Sequence, residues 1–72
     1  MKMNEPQTLY IITALDAEGK RSYYNGKSGA TWITDNKAEA FGYVSKTVAI
    51  GKATNFNRMT AIHGLRFQVV NF

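Results

Sequence analysis

The residues able to do acid–base chemistry in this chain are few and scattered. Its single histidine, His63, stands beside Gly64 with no acid or nucleophile near it in sequence. That setting is typical of a turn or a strand start rather than of a general base. The carboxylates in the body of the chain stand where a turn or a helix start uses one: Asp16, Glu18, Asp35 and Glu39. We therefore expect no catalytic residues and no enzyme activity.

Metal ligands and thiols are equally scarce. The 72 residues contain no cysteine, which excludes disulfides and thiolate sites and fits a reducing cytoplasm. Gly26-Lys27-Ser28 has the letters that end a phosphate-binding loop, but the motif needs a glycine where Arg21 stands and a helix directly after the serine. The sequence therefore favours a hairpin turn here, and it predicts no metal and no cofactor.

The basic residues offer a binding function instead. The formal net charge of +4 and the pI near 9.6 favour contact with an acidic partner. One group clusters on the first predicted hairpins: Lys20, Arg21 and Lys27. The other group has six-residue spacing on a predicted helix, which places successive members about 240° apart rather than in one stripe: Lys46, Lys52 and Arg58. The hairpin group is the better candidate for a basic patch.

The elements that position these residues follow from the hydrophobic pattern. Residues 1–7 are polar and predict a flexible N-terminal arm, and residues 8–72 form a single α+β domain. Alternating β-branched and aromatic residues predict strands at 8–15, 20–25, 30–34 and 65–72. Helical spacing predicts a first helix at 36–44, with Asp35 as its N-cap, and a second at 46–59.

This β-β-β-α-α-β order predicts a four-stranded antiparallel sheet covered by one helical layer. The first strand, T-L-Y-I-I-T-A-L, is apolar on both faces, which is typical of a central strand. Its neighbours are then the second strand on one side and the last strand on the other. The predicted spatial order is 4-1-2-3.

A single helical layer covers only one face of the sheet. We assign to the covered face Leu9, Ile11, Leu15, Leu65, Phe67 and Val69, with Phe41, Ala49, Ala53 and Phe56 from the helices. The open face then carries Tyr10, Ile12, Val70, Phe72, Arg66, Gln68 and one of the pair Tyr23 and Tyr24. A sheet face with aromatic rings and arginine suits three functions: self-association as a homodimer, docking of another protein, or stacking of single-stranded nucleic acid.

Protein docking is the leading interpretation. The chain lacks the glycine-aromatic motif of sheet-based RNA binders, and no helix separates its first two strands. The candidate partner-binding residues are Tyr10, Arg21, Tyr23, Lys27 and Arg66. The alternative is a nucleic-acid-binding module that uses the same face and the basic hairpins.

Several short motifs resemble those of small phage and prophage accessory proteins. They are Y-Y-N-G-K at 23–27, W-I-T-D at 32–35, and Ala38 followed by Phe41, before an alanine-bearing helix and a closing strand. The resemblance implies an inhibitor of a host protein or defence complex, of the anti-CRISPR kind, acting in the bacterial cytoplasm. The polar N-terminus and the short apolar stretches predict neither a signal peptide nor a membrane span.

Overall fold

The computed structural model describes residues 8–59 and 64–72, so the predicted arm at 1–7 and His63 lie outside the described residues. Within these ranges the elements are β1 (Tyr10–Leu15), β2 (Arg21–Tyr24), β3 (Ile33–Thr34), α1 (Lys46–Met59) and β4 (Arg66–Asn71). The strands form one antiparallel sheet in the order β3-β2-β1-β4. The α+β fold and the predicted strand order are confirmed.

The central strand β1 buries both of its faces. Ile11 and Ile12 are each 0% exposed. Ile12 lies opposite Val69 and Ala14 lies opposite Phe67, on the face that packs against α1. The predicted faces of β1 are therefore wrong by one residue, since Ile12 rather than Ile11 faces the helix. Apolar side chains stand on both faces of this strand, so alternation alone does not assign them.

Helix α1 covers the sheet with the residues that its spacing predicts. Ala49, Ala53 and Phe56 are buried, at intervals of four and three residues that place them on one side of the helix. The Phe56 ring centroid lies 5.2 Å from that of Phe67 and 5.0 Å from that of Trp32. The two alanines allow close approach to the sheet, and the Phe56 ring packs against those of Phe67 and Trp32. No helix in the described parts of the chain is long and apolar enough to cross a membrane.

The same helix also closes part of the free edge of β4. The Asn57 side-chain amide donates to the Phe67 carbonyl at 3.0 Å, and the Phe67 N–H donates to Asn57 Oδ1 at 2.7 Å. These two bonds replace those that a neighbouring strand would make. The backbone polar groups of Phe67 therefore have partners although β4 is an edge strand.

The predicted helix at 36–44 is wrong. Only Lys37–Glu39 is helical, as a single 3₁₀ turn. The residue that caps it is Asn36 rather than Asp35, because the Asn36 side chain accepts a hydrogen bond from the Ala38 N–H at 3.0 Å. The sequence has the composition of a helix start, but the turn does not continue.

Tertiary hydrogen bonds explain why the chain becomes extended after this turn. Tyr43 and Tyr10 exchange two backbone hydrogen bonds of 2.7 and 2.8 Å, and the Phe41 N–H donates to the Tyr24 carbonyl at 2.8 Å. The segment thereby bridges β1 and β2, and a helix would leave these backbone groups without partners. Phe41 is consequently 45% exposed rather than part of the core, which corrects its predicted place under the helical layer.

The third strand is shorter than predicted. Gly29–Thr31 forms a 3₁₀ turn, and Trp32 follows in a helical backbone conformation, with φ −73° and ψ −13°. Only Ile33–Thr34 pairs with β2. The turn directs the Trp32 ring to the α1 side of the sheet, where its centroid lies 5.6 Å from that of Phe67. Packing of Trp32 therefore replaces the first part of the predicted strand.

Candidate functional site

The sheet face away from α1 carries a row of two arginines and one leucine. Leu15 of β1 lies opposite Arg21 of β2 and opposite Arg66 of β4. Residues directly opposite each other in antiparallel strands point to the same face, and their Cβ atoms lie about 5 Å apart. The Cβ atoms of the two arginines, one strand to either side of Leu15, are therefore roughly 10 Å apart. Both arginines are exposed, and Leu15 is half-buried between them.

The next row along the strands adds a tyrosine. Thr13 lies opposite Tyr23 and opposite Gln68. The Arg21 guanidinium donates from Nη1 to Thr13 Oγ1 at 3.1 Å, and Thr13 is only 1% exposed. This bond links the Arg21 side chain to the row that contains Tyr23. We call the surface formed by Leu15, Arg21, Tyr23, Arg66 and Gln68 the arginine face.

The paired strand positions of the arginine face carry two cations and no carboxylate. None of the residues that pair on this side of β1, β2 and β4 is acidic: Ile11, Thr13, Leu15, Arg21, Tyr23, Arg66, Gln68 and Val70. Two carboxylates border this face. Thr34 lies opposite Tyr23, and its Oγ1 donates to the Glu39 carboxylate at 2.8 Å, while Asp16 lines the same depression as Leu15 and Arg66. The two guanidinium groups at the centre of the face suit acidic groups on a partner.

The structure brings together three of the predicted partner-binding residues, namely Arg21, Tyr23 and Arg66, on one face. It also decides between the adjacent tyrosines, because Tyr23 points to the arginine face while Tyr24 packs against the core. The role of the three residues in binding stays a prediction, but they are close enough to act as one surface.

Tyr10 is not part of this surface, which corrects its predicted place on the open face. Its side chain shares a face of β1 with Ile12 and packs against the hydrophobic core. The error is the same one-residue shift that misplaced Ile11. Tyr10 instead contributes to the covered side of the sheet.

Lys27 is also remote from the arginine face. Its N–H donates to Asn25 Oδ1 at 2.9 Å within the turn after β2. Its side chain lines a cavity on the α1 side, together with Tyr24 and Trp32. The basic hairpin group therefore divides between the two sides of the sheet.

The carboxylates occupy structural positions. Asp16 Oδ1 accepts from the N–H groups of Glu18 and Lys20, at 2.9 and 2.8 Å, and so organises the turn between β1 and β2.

Among residues 8–59 and 64–72, no group of three or more His, Cys, Asp or Glu side chains is placed to hold a metal ion. Gly26-Lys27-Ser28 precedes the 3₁₀ turn Gly29–Thr31 and β3, and not an α-helix.

Two tyrosines on the covered side are electrostatically coupled. Burial raises the pKa of the Tyr43 phenol above its ordinary value of about 10, and the negative charge of an ionised Tyr24 and the hydrogen bond with Tyr24 act in the same direction. No short-range sequence pattern links these residues. They meet because the bridging segment bonds to Tyr24 through the Phe41 N–H and to Tyr10 through the backbone of Tyr43.

Lys52 is a residue whose position the sequence reasoning missed. Its ammonium lies 5.5 Å from the ring centroid of Phe56 and 6.0 Å from that of Tyr24. The signal was its place four residues before Phe56 on a helix, a spacing that brings two side chains together.

No protein-family model, curated protein or solved structure matches this chain significantly.

Proposed function

We propose that this chain is a non-enzymatic binding protein that occludes a site on a protein partner with its arginine face. The observation that carries the proposal is the placement of Arg21 and Arg66 on either side of Leu15, with Tyr23 in the adjoining row. Arginine and tyrosine are enriched among the residues that dominate binding energy at protein interfaces. A half-buried leucine between two arginines provides an apolar centre with a charged surround.

The partner is an acidic protein surface. The arginine face has no acidic residue of its own among its paired strand positions, and a second copy of the chain would bring like charges together. The resemblance to phage accessory proteins supports a more specific form, in which a phage-encoded chain inhibits a host protein or defence complex, in the manner of an anti-CRISPR, in the bacterial cytoplasm.

Nucleic acid is the alternative partner, because phosphates also pair with arginine. A stacking platform for single strands presents two or three aromatic rings. On this side of the sheet the described rings are those of Tyr23, which is half-buried, and Phe72, which is 56% exposed with the Lys37 ammonium 5.6 Å from its ring centroid. Tyr24, Trp32 and Phe67 pack on the covered side. Most rings of the sheet therefore serve the core, which favours protein over nucleic acid.

The test is an affinity pull-down from bacterial lysate, with and without nuclease, using the wild-type chain and the variants Arg66→Ala, Tyr23→Ala and Arg58→Ala. We expect a stoichiometric protein that resists nuclease, is retained by Arg58→Ala and is reduced at least tenfold by each of the other two substitutions. Arg58→Ala is the matched control because it removes the same charge from an exposed position at the end of α1.

Other results would overturn the proposal. If every bound component disappears after nuclease treatment, and binding to an oligonucleotide falls steeply as salt increases, the chain is a nucleic-acid binder. If the chain elutes as a dimer in light scattering and Arg66→Ala converts it to a monomer, the arginine face is a self-association surface. Equal loss of the partner with Arg58→Ala would show that net charge alone is responsible.

A further inference from the structure

A cavity of about 330 Å³ lies between the second half of α1 and the turn that precedes β3. It is on the opposite side of the sheet from the arginine face. Its walls combine aromatic, thioether and cationic side chains: Tyr24, Lys27, Trp32, Lys52, Phe56 and Met59. Binding pockets for small molecules span about 300–1,000 Å³, so this volume suits a small aromatic ligand.

Three rings define the floor and walls of the cavity. The centroid of Phe56 lies 4.9 Å from that of Tyr24 and 5.0 Å from that of Trp32, and both pairs meet edge to face. Phe56 is buried, whereas Tyr24 and Trp32 are half-buried and leave part of their surface open to the cavity. Edge-to-face packing holds the rings in a defined arrangement, so the cavity presents flat apolar surfaces.

Two lysines supply the charge. Lys52 reaches in from α1, with its ammonium 5.5 Å from the Phe56 centroid, and Lys27 belongs to the turn on the other side. None of the described residues that line the cavity is acidic. A ligand that carries a negative group would therefore meet two cations, while its rings would meet Trp32 and Met59.

We propose that this cavity binds a planar aromatic molecule that bears a carboxylate, sulfonate or phosphate group. Lys52 has two roles in this site. Without ligand, its ammonium lies against the faces of Tyr24 and Phe56, as cations do on aromatic rings. With ligand, the same ammonium pairs with the anionic group and its position over the rings orients the ligand toward Trp32. This site is independent of the proposed function of the arginine face.

Trp32 makes the proposal directly testable, because it is the only tryptophan of the chain. The probe is 8-anilinonaphthalene-1-sulfonate, and the matched uncharged probe is N-phenyl-1-naphthylamine, which has the same ring skeleton without the sulfonate. We expect energy transfer from Trp32 to the bound sulfonate probe, and an affinity at least tenfold higher than that of the uncharged probe. Equal affinities, or the absence of energy transfer, would overturn the proposal.

Lysine variants locate the charge effect. Lys52→Met and Lys27→Met should each reduce the preference for the sulfonate probe to about threefold or less. Lys46→Met is the matched control, because it makes the same change in the first turn of α1 and Lys46 does not line the cavity. An equal reduction with Lys46→Met would overturn the proposal. Circular dichroism of each variant shows that the fold is retained, and the uncharged probe shows that the apolar walls are intact.

Displacement of the sulfonate probe then distinguishes two sources of the natural ligand. Adenosine monophosphate represents nucleotides, and N-acetylphenylalanine represents an aromatic carboxylic acid. Displacement by either supports the proposal, and the stronger competitor identifies the source. Adenosine and N-acetylphenylalanine amide, which lack the anionic group, should compete at least tenfold less well. Competition by these uncharged compounds at equal concentration would contradict the assignment.

Discussion

The two faces of the sheet use neighbouring residues of the same strands for different purposes. On the covered face, Phe67 packs against the rings of Trp32 and Phe56 beneath α1. On the arginine face, the adjacent residues Arg66 and Gln68 are exposed. A shift of one position along β4 therefore separates a residue that stabilises the fold from one that is available to a partner.

The largest expected effect tests the covered face. Phe67→Ala should lower the free energy of unfolding by about 3–5 kcal/mol, because it removes a buried ring and leaves a cavity. In a domain this small, such a loss is enough to unfold much of the population at room temperature. Gln68→Ala, one residue further and on the arginine face, should change stability by about 0.5 kcal/mol or less. Urea denaturation followed by circular dichroism measures both. Similar losses for the two variants would remove the distinction between the faces.

A smaller effect tests how the covered layer closes the sheet edge. Asn57→Ala removes both side-chain hydrogen bonds to the backbone of Phe67. The expected loss is about 1–3 kcal/mol, since two backbone groups then depend on water. Asn55→Ala is the control, because Asn55 is exposed on the same helix. If the two asparagine variants unfold at the same urea concentration, the edge contact contributes nothing measurable.

The strand order and α1 were predictable from the sequence because their signals are local and repeated. The first strand is apolar on both faces, which identifies a central strand, and the spacing of Ala49, Ala53 and Phe56 defines one side of a helix. The arginine face was partly predictable for the same reason. Alternation within β4 places Arg66 apart from Phe67, and this assignment agrees with the sheet register.

The errors arise where long-range contacts override local preference. Residues 36–44 have a helical composition, but hydrogen bonds to Tyr10 and Tyr24 hold the segment extended. Tyr10 was misplaced because β1 is apolar on both faces, so its periodicity does not say which face meets the helix. The contact of Lys52 with Tyr24 joins residues far apart in sequence, and no pattern within one element contains it.

The smallest expected effect concerns the pair Tyr24 and Tyr43, which belongs to the covered side alone. Burial raises the pKa of Tyr43 above about 10, so at high pH the unfolded chain releases the phenol proton before the folded chain does. Well below the ordinary phenol pKa of about 10, Tyr43 is protonated in both the folded and the unfolded chain. As the pH rises above the pKa of Tyr43 in the unfolded chain, the unfolded state binds fewer protons than the folded state, so the free energy of unfolding falls. The fall ends once the pH has passed the pKa of Tyr43 in the folded state. Tyr43→Phe removes this component.

Urea midpoints of the wild type and of Tyr43→Phe at pH 8 and at pH 11 provide the measurement. The difference between the two proteins at pH 8 reports the lost hydrogen bond and is an internal reference. We expect the wild type to lose more stability than Tyr43→Phe between the two pH values, because only the wild type carries the raised pKa at this position. An equal loss in both proteins would show that Tyr43 ionises alike in the folded and unfolded chains. Ionisation of Tyr43 would then contribute nothing to the pH dependence of folding stability.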